Sequence, residues 1–448
     1  MKHIEKKLNI GLFIDTFYPM IDGVITVVDN YARRLNKIAN VTVFTIGSRD
    51  KKYVDNFPYK VVRCAKFDIP GLDYDLGLPG LDAKFQKELK ESHLDVVHIH
   101  SPFTLGKVGT SYAKKHKIPC VATNHSQFKQ DFFKATKSPA ITDMLLKNIV
   151  SVFNKCDENW SVNEMTSELF FEYGLKEKPY VMPNGTDFKA EDTQKYNVDV
   201  DKKYGLSDND KILLYVGRMN DLKNIPFLIE SFAELSKSDK SFKLILVGDG
   251  TKTEQYKERV NELRLTDKVI FTGKVADKKL LGSIYKRANL ITFPSCYDTD
   301  GLIKKEAAAF KTPTLVVKKS FTSSDIIDNV NGYISNLEVK EFADKIKNIF
   351  ANKEQYKKVC ENCLKDIYKN WDDIVLSVLE RYKLLIRQKK NKNKAIAKKS
   401  HYIQTIKAVQ KQHQKIKQEK RIKKQRINKK LVEYPKTIKN IRRRKKDN

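Results

Sequence analysis

Residues 211–235 read KILLYVGRMNDLKNIPFLIESFAEL. A short apolar run ends at Gly217, a polar turn follows, and apolar residues then recur at helical spacing from Ile225. That is a buried strand, a turn and a covering helix. The unit repeats downstream in FKLILVG (242–248), KVIFTG (268–273), NLITFP (289–294) and PTLVV (313–317), with helical patterns between. Upstream lie LNIGLFID (8–15), VTVFTIG (41–47), YKVVRC (59–64), LDVVHIH (94–100), PCVATNH (119–125), ENWSVN (158–163) and PYVMPNG (179–185). Fully buried strands joined by crossover helices predict parallel sheets covered on both faces. A polar break at about 188–208 splits the series into two doubly wound units. Ligands in such sheets bind beyond the carboxyl ends of the strands, where each of the motifs below falls.

Composition narrows the classes. The chain has 448 residues, 40% of them hydrophobic, enough for sizeable cores, so wholesale disorder is excluded. Its 86 Lys and Arg against 55 Asp and Glu give +31. Residues 388–448 hold 24 of the basic residues and 3 of the acids, so most of the excess is a tail. No apolar run approaches the ~20 residues that span a bilayer. The opening MKHIEKKLNIGLFIDTFYP makes a poor signal peptide and a good first buried strand. Six scattered cysteines (64, 120, 156, 296, 360, 363) are too sparse for a disulfide scaffold and point to a reduced cytosolic chain.

Three stretches carry chemistry. Gly217-Arg218 and Lys223 bracket the first turn, and a guanidinium with an ammonium there suits a diphosphate; taken alone, the motif reads more readily as two exposed surface cations. Gly248-Asp249-Gly250 is a weak phosphate signal that a tight turn also explains. The most specific is SCYDTDGLIKKEAAAF, 295–310. Gly301, Leu302 and Ile303 would open a helix whose N-terminus favours an anion, and Glu306 within it could hold vicinal hydroxyls. Against this stands a solvated helix face, which suits Lys304 and Lys305 but not the small residues of AAAF.

Together these motifs resemble the family 4 retaining glycosyltransferases of GT-B fold. IDTFYPMIDGVITVVDNYARRL, HIHSPFTLG, VATNHSQF and VMPNGTDF also match family positions, so the likeness runs from residue 8 to about 385. The DTFYPMIDGV opening and the DTDGL acidic motif are most similar to bacterial 1,2-diacylglycerol 3-glucosyltransferases. The resemblance implies two facing Rossmann-like domains, an acceptor domain at 1–190 and a nucleotide-sugar domain at 195–370, with a closing helix at 371–388 returning to the first. It implies that Gly217, Arg218 and Lys223 bind the diphosphate, and that Glu306 holds the ribose. By the same likeness Asp298 contacts the transferred sugar, Gly301, Leu302 and Ile303 face sugar and phosphate, Gly23 lets its loop approach the phosphates, and His125 sits near the reacting carbon. His100 becomes a pocket wall. Two departures stand out: Asp298 where Glu is usual, and Asp300 where an aromatic or Gln is common, both pointing to altered sugar preference or weakened activity.

The expected reaction moves a hexose, glucose from UDP-glucose, to a membrane lipid such as diacylglycerol, with retention. The cations stand in for a metal, so neither a metal nor a cofactor beyond the nucleotide sugar is expected. The tail, 389–448, reads as a helical or disordered basic segment; as a helix it suits an anionic leaflet, placing the protein peripherally on the inner face of the cell membrane. With only Tyr402 and Tyr434 for stacking, nucleic acid is the poorer partner. The rival readings are a glycosyltransferase of capsule or cell-wall polysaccharide assembly, and a non-catalytic basic protein binding nucleic acid or surfaces on a degenerate fold.

Overall fold

The computed structural model describes residues 7–20, 22–68 and 75–444. One compact unit runs to Ile386, and a second begins at Arg387. The first unit's leading strands are β1 (Asn9–Phe13), β2 (Asn40–Ile46), β3 (Lys60–Cys64), β4 (Lys66–Phe67), β5 (Leu76–Gly77), β6 (Val96–Ile99), β7 (Cys120–Asn124), β8 (Glu158–Ser161) and β9 (Tyr180–Val181). β4 and β5 form a small antiparallel pair. The other seven make a parallel sheet in the order β3-β2-β1-β6-β7-β8-β9. A second parallel sheet, ordered β12-β11-β10-β13-β14-β15, holds β10 (Lys211–Val216), β11 (Phe242–Val247), β12 (Val269–Gly273), β13 (Leu290–Phe293), β14 (Thr314–Val317) and β15 (Tyr333–Ser335).

β6, β13 and β14 are buried along their whole length, which is why their sequences run apolar without alternation. In each sheet the strand order reverses beside its first strand, between β1 and β6 and between β10 and β13. Crossover connections leave in opposite directions there and open a crevice at the carboxyl ends.

The first sheet packs helix Gly23–Leu35 on one face and helices Ala83–Glu91, Thr104–His116 and Pro139–Phe153 on the other. The chain returns to the first face after the second sheet. Trp371, Val378 and Tyr382 join its core, with the Tyr382 ring stacked on Trp160 at 5.7 Å and Trp371 edge-on to Tyr31 at 5.7 Å. Arg34 bonds Asp372 at 2.8 Å, and Arg381 bonds Glu158 at 2.8 Å. The second unit continues the helix that starts at Trp371 as far as Arg444, so its backbone is helical where the sequence left disorder open. Its Ile396, Ile403, Ile406 and Val409 are exposed. Among the described residues no helix is long and apolar enough to cross a membrane.

Candidate active site

Beyond β10 the chain turns at Gly217, makes a short 3-10 turn at Asp221–Lys223, and enters helix Ile225–Ser238 with Pro226 in its first turn. This turn lies directly against the Gly248-Asp249-Gly250 turn. A Cβ on Gly248 would stand 1.8 Å from the Gly217 carbonyl oxygen, and φ there is +135°. Packing of backbone on backbone thus accounts for Gly248, whatever else the turn does.

Beyond β13 comes the acidic loop, and its anchors explain its shape. The Ser295 hydroxyl accepts from the Tyr297 and Asp298 amides at 3.3 Å each. Side chains from the first sheet's carboxyl edge hold the remainder. Gln127 donates to the Tyr297 carbonyl at 2.7 Å, Asn163 to the Thr299 carbonyl at 2.6 Å, and Thr299 Oγ1 to the His125 carbonyl at 2.6 Å. Gly301, at φ +69°, then starts helix Leu302–Ala308, whose first-turn amides have no partner within the helix.

Lys223 Nζ forms an ion pair with Asp298 Oδ1, both side chains largely buried. The other Asp298 oxygen is buried with no hydrogen-bond partner among the described residues. A buried carboxylate oxygen without a donor is costly, and a sugar hydroxyl would satisfy it. Arg218 is exposed: its carbonyl accepts from the Tyr215 hydroxyl at 3.2 Å, while its guanidinium makes no hydrogen bond or ion pair among the described residues. It lies close enough to Asp22 to pull that carboxyl down against the upward push of burial. Asp22 caps helix Gly23–Leu35 through the Ile25 amide at 2.7 Å. Gly23 is exposed, and a Cβ there would meet nothing within 4 Å, so its turn leaves room.

Glu306 takes its own partners. The Tyr285 hydroxyl donates to Oε2 at 2.5 Å. Burial pushes the Glu306 carboxyl up, and the Tyr285 bond only partly opposes this. His125, Arg218, Lys223, Asp298 and the Gly301–Ile303 start therefore meet at the mouths of the two sheets, whereas no hydrogen bond or ion pair joins Glu306 to the Lys223–Asp298 pair among the described residues.

The structure corrects the reading of a solvated face at Lys304 and Lys305. Lys304 is 0% exposed; it pairs with Asp325 and donates to the Thr322 carbonyl at 2.6 Å, and burial lowers its ammonium pKa. Lys305, 2% exposed, pairs with Asp300, whose other oxygen accepts from Asn184 at 2.8 Å. Asp300 is thus a strut inside the loop. Asn184, Asn163 and Gln127 sit inside strand-end motifs already marked in the sequence, but nothing in those motifs marks them as loop anchors. Tyr285 has no sequence signal at all.

His98, His100 and His125 line the ends of β6 and β7 as a buried group. His98 bonds the Tyr382 hydroxyl at 2.6 Å and Thr123 Oγ1 at 2.7 Å, and its ring lies 4.0 Å from that of His100. His100 Nδ1 meets His125 Nε2 at 3.1 Å. Burial lowers all three, His125 to about 3.

Residues 21–190 match the model of glycosyltransferase family 4, and residues 199–366 that of glycosyl transferases group 1. The chain is a glycosyltransferase, a family 4 domain followed by a group 1 domain. This glycosyltransferase is 28% identical over 339 residues to the alpha-monoglucosyldiacylglycerol synthase of Streptococcus pneumoniae, covering 72% of this chain and 74% of that protein. The enzyme of the same name from Acholeplasma laidlawii is 26% identical over 345 residues, 73% and 85% of the two chains. Among solved structures, sucrose-phosphate synthase from Thermosynechococcus elongatus superposes with a TM-score of 0.69 at 20% identity, over 85% of this chain and 100% of that one. Anabaena HepE in complex with UDP and glucose gives 0.64 at 18% identity, over 84% and 99%. The glycosyltransferase has the GT-B fold.

Proposed function

We propose that this glycosyltransferase moves glucose from UDP-glucose to a membrane lipid, 1,2-diacylglycerol, with retention of configuration and without a metal. The observation that carries the sugar-binding part is Asp298: one oxygen is neutralised by Lys223 and the other is left for a hydroxyl. Arg218, near enough to Asp22 to act on its carboxyl and with no side-chain partner among the described residues, is a cation available for the diphosphate. In the transition state charge grows on the departing diphosphate, and fixed cations stabilise it without reorganisation. The acceptor hydroxyl attacks from the leaving-group face, and a diphosphate oxygen takes its proton. Glu306 holds the ribose, with Tyr285 orienting its carboxylate. The cross-bonds from Gln127, Asn163 and Asn184 hold the acidic loop against the first sheet.

The two synthases named above support the acceptor, as does a cavity of about 350 Å³ at the first sheet's mouth. Phe17, Pro19 and Met20 give it an apolar wall, and Arg49 and Arg63 a polar one, an amphipathic lining suited to a glycerolipid head. The basic helix beyond Arg387 lies on the anionic inner leaflet in this reading, at about 1 kcal/mol per basic residue near the surface. Incubation with a panel of nucleotide sugars and either diacylglycerol vesicles or oligosaccharide acceptors tests it. A glucosylated lipid identified by mass is expected, and a product only on saccharide acceptors would turn the reading to polysaccharide assembly.

A further inference from the structure

The pairing of two buried histidines limits where their protons sit. A neutral imidazole carries one N–H and one lone pair, and the bond between His100 Nδ1 and His125 Nε2 uses one of each. His100 is 3% exposed, and its Nε2 is buried with no hydrogen-bond partner among the described residues. Two arrangements satisfy the bond. If His125 donates, His100 must hold its own proton on Nε2, where a buried N–H has no acceptor. The His100 ring stands edge-on to the Tyr31 ring at 5.8 Å and 4.0 Å from the His98 ring, and ring contacts of this kind are second-order beside a full hydrogen bond. If His100 donates from Nδ1, its Nε2 keeps only a lone pair, and a buried donor is not orphaned. An orphaned buried N–H is the rarer and costlier defect.

The second arrangement fixes His125 as well. Its Nε2 becomes the acceptor, so its proton sits on Nδ1. That nitrogen has no partner among the described residues and is not among the atoms sealed from solvent. It belongs to a residue whose carbonyl is bonded by Thr299, next to Asp298. The His100 ring cannot swing away, held as it is between His98 at 4.0 Å and Tyr31.

We propose that His100 is a positioning residue: it donates from Nδ1 to His125 Nε2, so that His125 presents Nδ1–H to the sugar as a hydrogen-bond donor. The role in transfer rests on the functional reading above; the proton's position does not. Burial keeps His125 neutral, and a neutral ring donor neither takes the acceptor's proton nor repels Arg218 and Lys223. The proton instead goes to the diphosphate.

The test is a two-bond nitrogen–proton spectrum of the full chain carrying ring-labelled histidine, without substrate, with His125→Gln used only to assign the signals. His125 is expected to show a protonated Nδ1 and a bare Nε2. In His100→Leu the preference is lost, the Nε2–H form grows, and kcat falls on the order of tenfold while the donor KM moves little. His100→Asn places an amide donor near the position of Nδ1, keeps the wild-type pattern and recovers most of kcat. A protonated Nε2 on His125 in the wild type overturns the proposal, as does an unchanged pattern in His100→Leu, or equal kcat losses in the two variants. If the leucine variant does not fold, the wild-type and asparagine spectra decide it. A wild-type chain that shows the expected pattern yet moves no sugar would contradict the functional reading and leave the proton's position established.

Discussion

At the residue scale, partners rather than residue types decide what the charged side chains do. Lys223 and Lys305 are both cations in strand-to-helix segments, yet Lys223 pairs at the sheet mouth and Lys305 is sealed beneath it with Asp300. Lys223→Ala should lower transfer by well over tenfold, more than ~1.4 kcal/mol in the barrier, with a smaller stability loss than at Asp300 because both members of its pair keep about a fifth of their side-chain surface exposed. Asp300→Ala should do the reverse in kind, because it strands a buried ammonium. It should cost about 3–5 kcal/mol in denaturant unfolding, while Asp300→Leu with Lys305→Met should recover most of that loss. Equal losses in the single and double variants would mean that the pair is not a strut.

The buried histidines give a pH signature. Their folded pKa values lie below the ordinary 6.5, so between 6.5 and the folded value the unfolded chain binds more protons. Stability from keeping them neutral is present above 6.5 and lost as pH falls, by up to ~1.4 kcal/mol per pH unit for each ring. The slope of unfolding free energy against pH below 6.5 should therefore be shallower in His98→Gln. Glu306 runs the other way: burial raises its folded value above 4.5, so its contribution weakens as pH rises through that folded value.

At the element scale, the strand–turn–helix unit was readable from apolar runs ending in Gly or Pro, because strands buried on both faces tolerate few polar residues. KILLYVG and NLITFP each end where a strand does, and Gly301 starts its helix as the sequence suggested. The weak Gly-x-Gly motif has its explanation in tertiary packing, since what requires Gly248 is the Gly217 turn about thirty residues earlier in the chain. The rival reading of Lys304 and Lys305 as a solvated face fails for a similar reason. Their anions, Asp325 and Asp300, lie on loops whose approach no helical periodicity encodes. The Tyr285–Glu306 bond, between two consecutive helices, was equally invisible. The returning helix is a packing element, and Trp371→Ala should cost about 3–5 kcal/mol in chemical denaturation, a loss below 1 kcal/mol speaking against its place in the first sheet's core.

At the scale of the whole molecule, the sequence separates a nearly balanced body from a tail of concentrated positive charge, and the structure places the boundary at Ile386 and Arg387. Deleting residues 389–448 should weaken binding to anionic vesicles and flatten its salt dependence, because screening acts on exposed charge. Unchanged binding would remove the tail from the membrane account. The body's two switch points carry the central claim, that Arg218, Lys223 and Asp298 hold an activated sugar with Glu306. Its most direct test is transfer from UDP-glucose to diacylglycerol vesicles by the wild type and by Lys223→Ala and Glu306→Ala, with products weighed by mass spectrometry. The account predicts a monoglucosylated lipid from the wild type and a loss well beyond tenfold in each variant. Near-normal rates in both variants would contradict it.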